Sequence, residues 1–242
     1  MSGAPSLLEV PEGGEFKQGT ITEGRESYKL ATYGRIFALT RQAIVNNDLE
    51  SFSRMGEMWG RAAADLESDA VYGVLTANPT MGDGVALFHT THGNLAGAGA
   101  AVSAATVQTA ETSMLTRTGL EGRYINLMPK FLIVAPGQKV AAQQLLNGTM
   151  VPTQTSNVNV YANSMDLVVE ARLTATAGAS PWFIAGDPAQ ADTVEYAYLD
   201  GQEGVFLEQR DGFEVDGVEY KARLDFAAKA IDFRGLYKNP GV

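Results

Sequence analysis

The chain has 242 residues, 45% hydrophobic and 19% charged, with a formal net charge of −10 and no cysteine. That length holds one large domain or two modest ones, and the apolar share is too high for a disordered chain. The acidic balance argues against gripping nucleic acid through a basic stripe, and the lack of cysteine excludes disulfides, thiolate nucleophiles and cysteine metal sites.

Residues 1–15, rich in Gly, Pro and Glu, read as an extended arm with two apolar anchors, Leu7 and Leu8. No apolar run reaches the length of a membrane span, and this start lacks the charged and apolar parts of a signal peptide, so a soluble, intracellular protein is expected. "FKQGTITE", 16–23, reads as a short polar strand and "GRE" as a charged turn; "SYKLATYGRIFALT" then runs to Thr40 as the return arm of a hairpin. On that arm Tyr28, Leu30 and Ile36 point one way and Tyr33, Phe37 and Leu39 the other, so no single face has a core to lie on. The first arm adds only Phe16 and Ile21.

A long helix is expected over 48–77, capped by Asn47 or Asp48 and stopped at Asn78-Pro79. Leu49, Phe52, Met55, Trp59, Ala62, Leu66 and Ala70 form its apolar face, and Gly56 and Gly60 are points where it could bend. A Gly-rich loop follows, with one short strand at Val85–His89. Ser103 or Thr106 caps a second helix to about Arg117; "KFLIVAP" is a buried strand; Pro136 opens a third helix stopped by Gly148. "DLVVEARL", "PWFIAGD" and "TVEYAYLDG" read as strands, and Asp216-Gly217 as the type I′ turn of a tail hairpin. Helix and strand patterns alternate, so an α+β fold is expected.

The only two histidines are His89 and His92 in "FHTTHGN". A metal site would add Asp83 or Asp187, but the spacing is not that of HExxH and the context is strand and turn. Histidines making backbone hydrogen bonds in a loop are the plainer reading. "GNLAGAG" is not a dinucleotide fingerprint, no GxSxG elbow occurs, and "NGT" at 147–149 is a chance sequon. "DGFEVDG" lacks the ligand spacing of a calcium loop. The residues name no catalytic, cofactor or metal site, and no cofactor is expected.

The segments "GGEFKQGT", "ESYKLATYGRIFALTRQAIVNNDL", "GRAAADLESD", "NPTMGDGVALFHTTHGNL", "ADTVEYAYLDGQEG" and "GFEVDGVEYKARLDFAAKAIDFRGLYKNPG" match in order and cover about 14–240. They resemble the major capsid proteins of tailed phages and prophages, in the Mu-like head-subunit group. Residues 149–180 are the least recognisable. The resemblance implies the Hong Kong 97 phage-type capsid fold. Its parts would be an N-terminal arm at 1–15, an extended loop (E-loop) hairpin at 16–40, a peripheral domain at 41–125 and 200–242 with a long spine helix, and an axial domain at 126–199. It implies a structural protein, not an enzyme, that forms pentamers and hexamers in an icosahedral shell around phage DNA, assembled in the bacterial cytoplasm and residing in the virion. Scaffold or protease, portal and decoration proteins are the implied partners, with DNA contacted weakly and no membrane. Relatives often carry an upstream scaffold or protease region; this chain begins near the arm, as a mature or engineered form would. The two-faced strand would be buried on a neighbouring subunit, with Phe16, Ile21, Arg25, Tyr28, Leu30 and Tyr33 as contact candidates. Some shells of this fold are cross-linked between a loop lysine and a peripheral asparagine. Lys17, Lys29 and Asn239 are present, but no motif carries that chemistry over. The rival readings are an encapsulin-like compartment for protein cargo and, from another class, a metal-dependent hydrolase using His89 and His92.

Overall fold

The computed structural model describes residues 2–3, 22–40, 42, 55–147, 160–175, 178–212 and 217–242. Two compact units emerge, one of Met1–Ser27, Asn78–Val194 and Ala230–Val242, the other of Tyr28–Ala77 and Glu195–Lys229.

The first unit is built on a four-stranded mixed sheet. β4 (Pro129–Val134) lies between β5 (Asp166–Val169), which is parallel to it, and β6 (Trp182–Gly186), which is antiparallel. β10 (Leu236–Asn239) closes the far edge against β6. Every residue of β6 is buried, which is why "WFIAG" reads as an unbroken apolar run rather than an alternating one. Trp182 and Ile184 join a core with Leu132, Val134, Val107 and Met114, while Phe183 meets Phe88 at 5.4 Å between ring centroids. The Trp182 Nε1–H donates to the Ala100 carbonyl at 2.8 Å, so the indole is buried without an orphan donor.

Two helices cover this sheet. α2 (Ala104–Leu115) starts at Ser103, whose hydroxyl accepts from the Thr106 N–H while the Thr106 hydroxyl accepts from the Ser103 N–H. That reciprocal pair satisfies two donors that a helix start leaves open. α3 (Lys139–Leu146) follows a 3-10 turn at Pro136–Gln138, where a proline with its fixed φ and no N–H suits the first turn. Its expected stop, Gly148, lies outside the described residues.

The second unit holds β3 (Ala31–Thr40), α1 (Met55–Ala77), most of β7 (Val194–Tyr198), β8 (Phe206–Gly212) and β9 (Gly217–Ala230). β9 is the central strand, paired with β3 along one edge and with β8 and β7 on the other. It alternates cleanly. Val218, Tyr220, Ala222, Leu224 and Phe226 face one way; Glu219, Lys221, Arg223 and Asp225 face the other. α1 is an unbroken helix of 23 residues, about 35 Å long, through both Gly56 and Gly60. Asn78 ends it with a left-handed φ of 50°.

Several expectations are corrected. The strand to Thr40 pairs with β9 from Ala31↔Phe226 to Thr40↔Gly217, because β9 offers a matching apolar alternation; residues 16–21 of the expected first arm lie outside the described residues. A two-residue strand β2 (Thr22–Glu23) pairs with β1 (Ser2–Gly3), and residues 4–15 of the expected arm lie outside the described residues. Gly217 is a strand residue opposite Gly212 and Thr40 rather than half of an Asp216-Gly217 turn; a Cβ there would collide with the Leu39 carbonyl. Asp216 itself lies outside the described residues. Val85–His89 forms no strand: Ala86 makes a single bridge to Thr80, and a 3-10 turn begins at Thr90. "DLVVEARL" leaves the sheet after Val169, where the Glu170 carboxylate caps a 3-10 turn at Ala171–Leu173. Residues 78–125 and 230–242 fall with the sheet of 129–186, since β10 pairs with β6 and α2 packs on the same core. The helix start with Asn47, Asp48, Leu49 and Phe52, the candidates Phe16 and Ile21, and Lys17 lie outside the described residues.

Candidate assembly surfaces

The contact candidates that are described sit on one continuous stretch. Arg25 is exposed, beside Glu26, whose carboxylate accepts from the Gly82 N–H at 2.6 Å and so holds this segment to the loop at 81–83. Tyr28 is half-buried; its hydroxyl donates to Glu195 at 2.6 Å, and that bond is the main cause of a pKa pushed up to about 12. Leu30 and Tyr33 are each about two-fifths exposed.

From Ala31 onward the strand has an inner and an outer face. Leu39, on the inner face, is buried, but Tyr33 and Phe37 on the same face are only partly covered. On the outer face Ile36 is 64% exposed, between Lys221 and its neighbours on β9. The charged groups of that face pair across strands: Arg210 with Glu219 at 2.6 Å, and Lys221 with Glu208. Such exposed pairs contribute about 0–1 kcal/mol each. They solubilise the face more than they stabilise it.

α1 is the other open element. Met58 is 64% exposed, Trp59 and Leu66 are half-buried, and only Leu75 is fully covered. Tyr198 of β7 donates to Glu67 of this helix, and burial together with that bond raises the Tyr198 pKa to about 12. A helix with an apolar stripe normally buries it. Here much of the stripe stays in solvent within a single chain.

The histidine loop, by contrast, is closed. His92 is buried, its ring stacked on Phe233 with centroids 3.8 Å apart and planes 4° from parallel. Its Nε2 meets Asp83 Oδ2 at 2.7 Å and its Nδ1 meets the Leu87 carbonyl at 3.1 Å. Asp83 is held below the usual carboxylate range, first by the Val85 N–H and then by His92. His89 caps the 3-10 turn, with its Nδ1 accepting from the Thr91 N–H. Asp187 pairs with Lys130 at 2.8 Å. So of the groups a metal site would bring together, Asp83 and His92 do meet, as a hydrogen bond that leaves neither His92 ring nitrogen open. Among the described residues no three His, Cys, Asp or Glu side chains come together to hold a metal.

Arg117 has no counterpart in the sequence reading. It is buried, and Nη1 donates to the carbonyls of Phe233, Arg234 and Leu236 at 3.3, 2.6 and 3.0 Å. Nη2 donates to the Gly93 carbonyl at 3.1 Å and the Ser113 hydroxyl at 3.2 Å. Burial lowers its pKa to about 10, still charged at neutral pH. A fork of five donors on one rigid plane is what lets a single side chain tie three segments together. No local pattern marks it, because its partners on the tail lie more than a hundred residues away. Asn239 is likewise structural: its carboxamide oxygen accepts from the N–H groups of Ala100 and Gly241, at 2.8 and 3.0 Å, and the residue is buried. Lys29 is exposed.

The described residues therefore hold tight structural polar groups around Arg117, His92 and Asn239 and leave apolar surface open on β3 and α1. The sequence matches the family model described as phage capsid protein over residues 24–239. The chain belongs to the phage capsid protein family. It is a structural shell protein of bacteriophage heads, not an enzyme, and its family assembles as a multimeric shell within the virion. Solved structures agree on the fold. One from Mycobacterium phage Patience has a TM-score of 0.61 at 12% identity, covering 100% of this chain and 78% of the other. One from Mycobacterium phage Che8 has a TM-score of 0.57 at 12% identity, covering 98% and 82%. An encapsulin complex from Synechococcus elongatus has a TM-score of 0.56 at 12% identity, covering 91% and 77%. No curated protein matches the sequence. The fold is thus the mixed α/β, Hong Kong 97 phage-type capsid fold.

Proposed function

We propose that this capsid protein builds an icosahedral head around phage DNA as pentamers and hexamers, and that it belongs to the Mu-like head-subunit group. The observation that carries the proposal is the exposed apolar surface of Leu30, Tyr33, Ile36 and α1 in a chain of the capsid family. Surface of that kind marks a protein contact, and a closed shell supplies a neighbour for every copy. In this reading α1 is the spine helix of a peripheral domain together with β8 and β9. The sheet of β4, β5 and β6, inside 126–199, is the axial domain. The stretch through Arg25, Tyr28, Leu30 and Tyr33, with Phe16 and Ile21, is the extended loop that lies on an adjacent subunit. Assembly takes place in the host cytoplasm, with a scaffold or protease, a portal and any decoration protein as partners. The acid net charge suits a container that holds its genome loosely.

The paired substitution Leu30→Asp with Tyr33→Asp tests the contact. Circular dichroism of the variant should match the parent, and shells should vanish from electron micrographs. Intact shells from the folded variant would sink the contact assignment. The encapsulin-like reading has its own support in the similarity to the Synechococcus complex. Nuclease-protected DNA in particles isolated from infected or induced cells separates the two; particles carrying only protein cargo would favour the compartment.

A further inference from the structure

Among the described lysines, Lys238 stands apart. Lys130 is paired with Asp187 at 2.8 Å and Lys221 with Glu208, while Lys29 and Lys139 are exposed to water. Lys238 is half-buried on β10, directly across from Phe183 of β6. Its backbone is fixed on the side away from β6. The N–H donates to the Asn94 carbonyl at 2.8 Å, and the carbonyl accepts from the Ala96 N–H at 2.9 Å. The side-chain nitrogen lies 5.4 Å from the ring centroid of Phe88 and 5.7 Å from that of Phe183, both buried rings.

No carboxylate among the described residues pairs with this nitrogen. The titratable groups on the surrounding elements are engaged elsewhere: His89 caps the turn at Thr90, His92 meets Asp83, Asp187 meets Lys130, and Tyr237 turns into the core on the other face of the sheet. Aromatic faces attract an ammonium ion, whereas loss of water disfavours it. Loss of water dominates: burial lowers the Lys238 pKa, and no neighbouring charge opposes the shift. The clamp therefore suits the uncharged amine, and an amide on the same nitrogen removes the desolvation cost altogether.

We propose that Lys238 is the nucleophilic amine of this chain and a site of N-acylation by small acyl phosphates. The lone pair of the neutral amine attacks the acyl carbonyl carbon and forms the C–N bond. The bond from that carbon to the phosphate oxygen breaks, inorganic phosphate leaves with the electron pair, and the amine proton passes to solvent. Only the neutral amine carries the lone pair, so a lysine held in an apolar setting without a counter-ion reacts ahead of hydrated ones. The product carries one positive charge fewer and leaves its uncharged arm beside Phe88 and Phe183.

The test is trace labelling of the purified full-length chain with acetyl phosphate at neutral pH, with the rate at each lysine read by peptide mass spectrometry. Lys238 should react about threefold faster than Lys29 and Lys139, or more, because each unit of lowered pKa gives about ten times more neutral amine. In urea the three rates should converge, since the clamp is gone. The rate at Lys238 should also begin to rise at a lower pH than the rate at Lys29, a readout that a merely structural lysine would not move. Labelling of Lys238 no faster than Lys29 and Lys139 in the folded chain would overturn the proposal. So would coincident pH profiles for Lys238 and Lys29, or an advantage that persists unchanged in urea.

Discussion

Replacing Arg117 by Met removes the fork and leaves its volume nearly filled. Four backbone carbonyls and the Ser113 hydroxyl then lose a charged donor in a region where Arg117 itself is only 7% exposed. Each buried acceptor left without its donor costs about 1–3 kcal/mol, but neighbours relax and the losses do not add. The charge leaves with the side chain, so the cost is that of the acceptors left without a donor, a total of about 3 kcal/mol. For a chain of this size about 3 kcal/mol lowers the midpoint temperature by roughly 6–12 °C. Trp182 is fully buried in the same unit and reports its unfolding by fluorescence once Trp59, in the other unit, is replaced by Phe. Urea titration of unassembled Trp59→Phe and Trp59→Phe/Arg117→Met chains gives the difference. Arg117→Lys keeps the charge without the planar fork and should fall between them. A loss under about 1 kcal/mol for the Met variant would refute the reasoning that this side chain holds the tail to α2 and to the loop at Gly93.

Three further outcomes are expected. His92→Ala should lose about 2–3 kcal/mol through the Phe233 stack and the Asp83 bond, seen as faster proteolysis within 80–94; metal analysis of the parent should find no stoichiometric zinc or manganese. Tyr28 and Tyr198 have folded pKa values of about 12 against 10.0 for a free tyrosine, so the native state keeps these protons longer. Their stabilising effect is complete below pH about 10 and is lost as pH rises to about 12, and Tyr28→Phe should flatten that decline in pH-dependent unfolding. Boiled shells should run on denaturing gels at the 25.8 kDa monomer, since the Asn239 carboxamide oxygen is already bonded to two backbone N–H groups; a ladder of higher bands would contradict this.

Local signals carried far in this sequence. Ser103 with Thr106 announced α2, Pro136 announced the turn into α3, and the unbroken apolar runs "FLIV" and "WFIA" became the central strands of the sheet. Non-local pairing was not legible. The period of two in "SYKLATYGRIFALT" says only that the strand has two faces; that its partner is β9 depends on a match nearly two hundred residues away. Gly217 looks like a turn glycine locally, yet it is glycine because the Leu39 carbonyl lies where a side chain would stand. Arg117 and the covering of His92 escaped for the same reason, since their acceptors and stacking partner come from the tail. The exposed apolar stretch Leu30 to Ile36 was readable as such, because apolar residues on both faces of one strand are visible without knowing the fold.

The central claim is that copies of this chain close into a shell, and particle imaging of the purified protein tests it most directly. Negative-stain electron microscopy, with light scattering across protein and salt concentration, should show closed particles of uniform size or pentamers and hexamers on the way to them. Raising ionic strength should shift the balance between shells and capsomers, because the contacts mix apolar and charged groups. A stable monomer at every concentration and salt level, with no particles on the grid, would contradict the account.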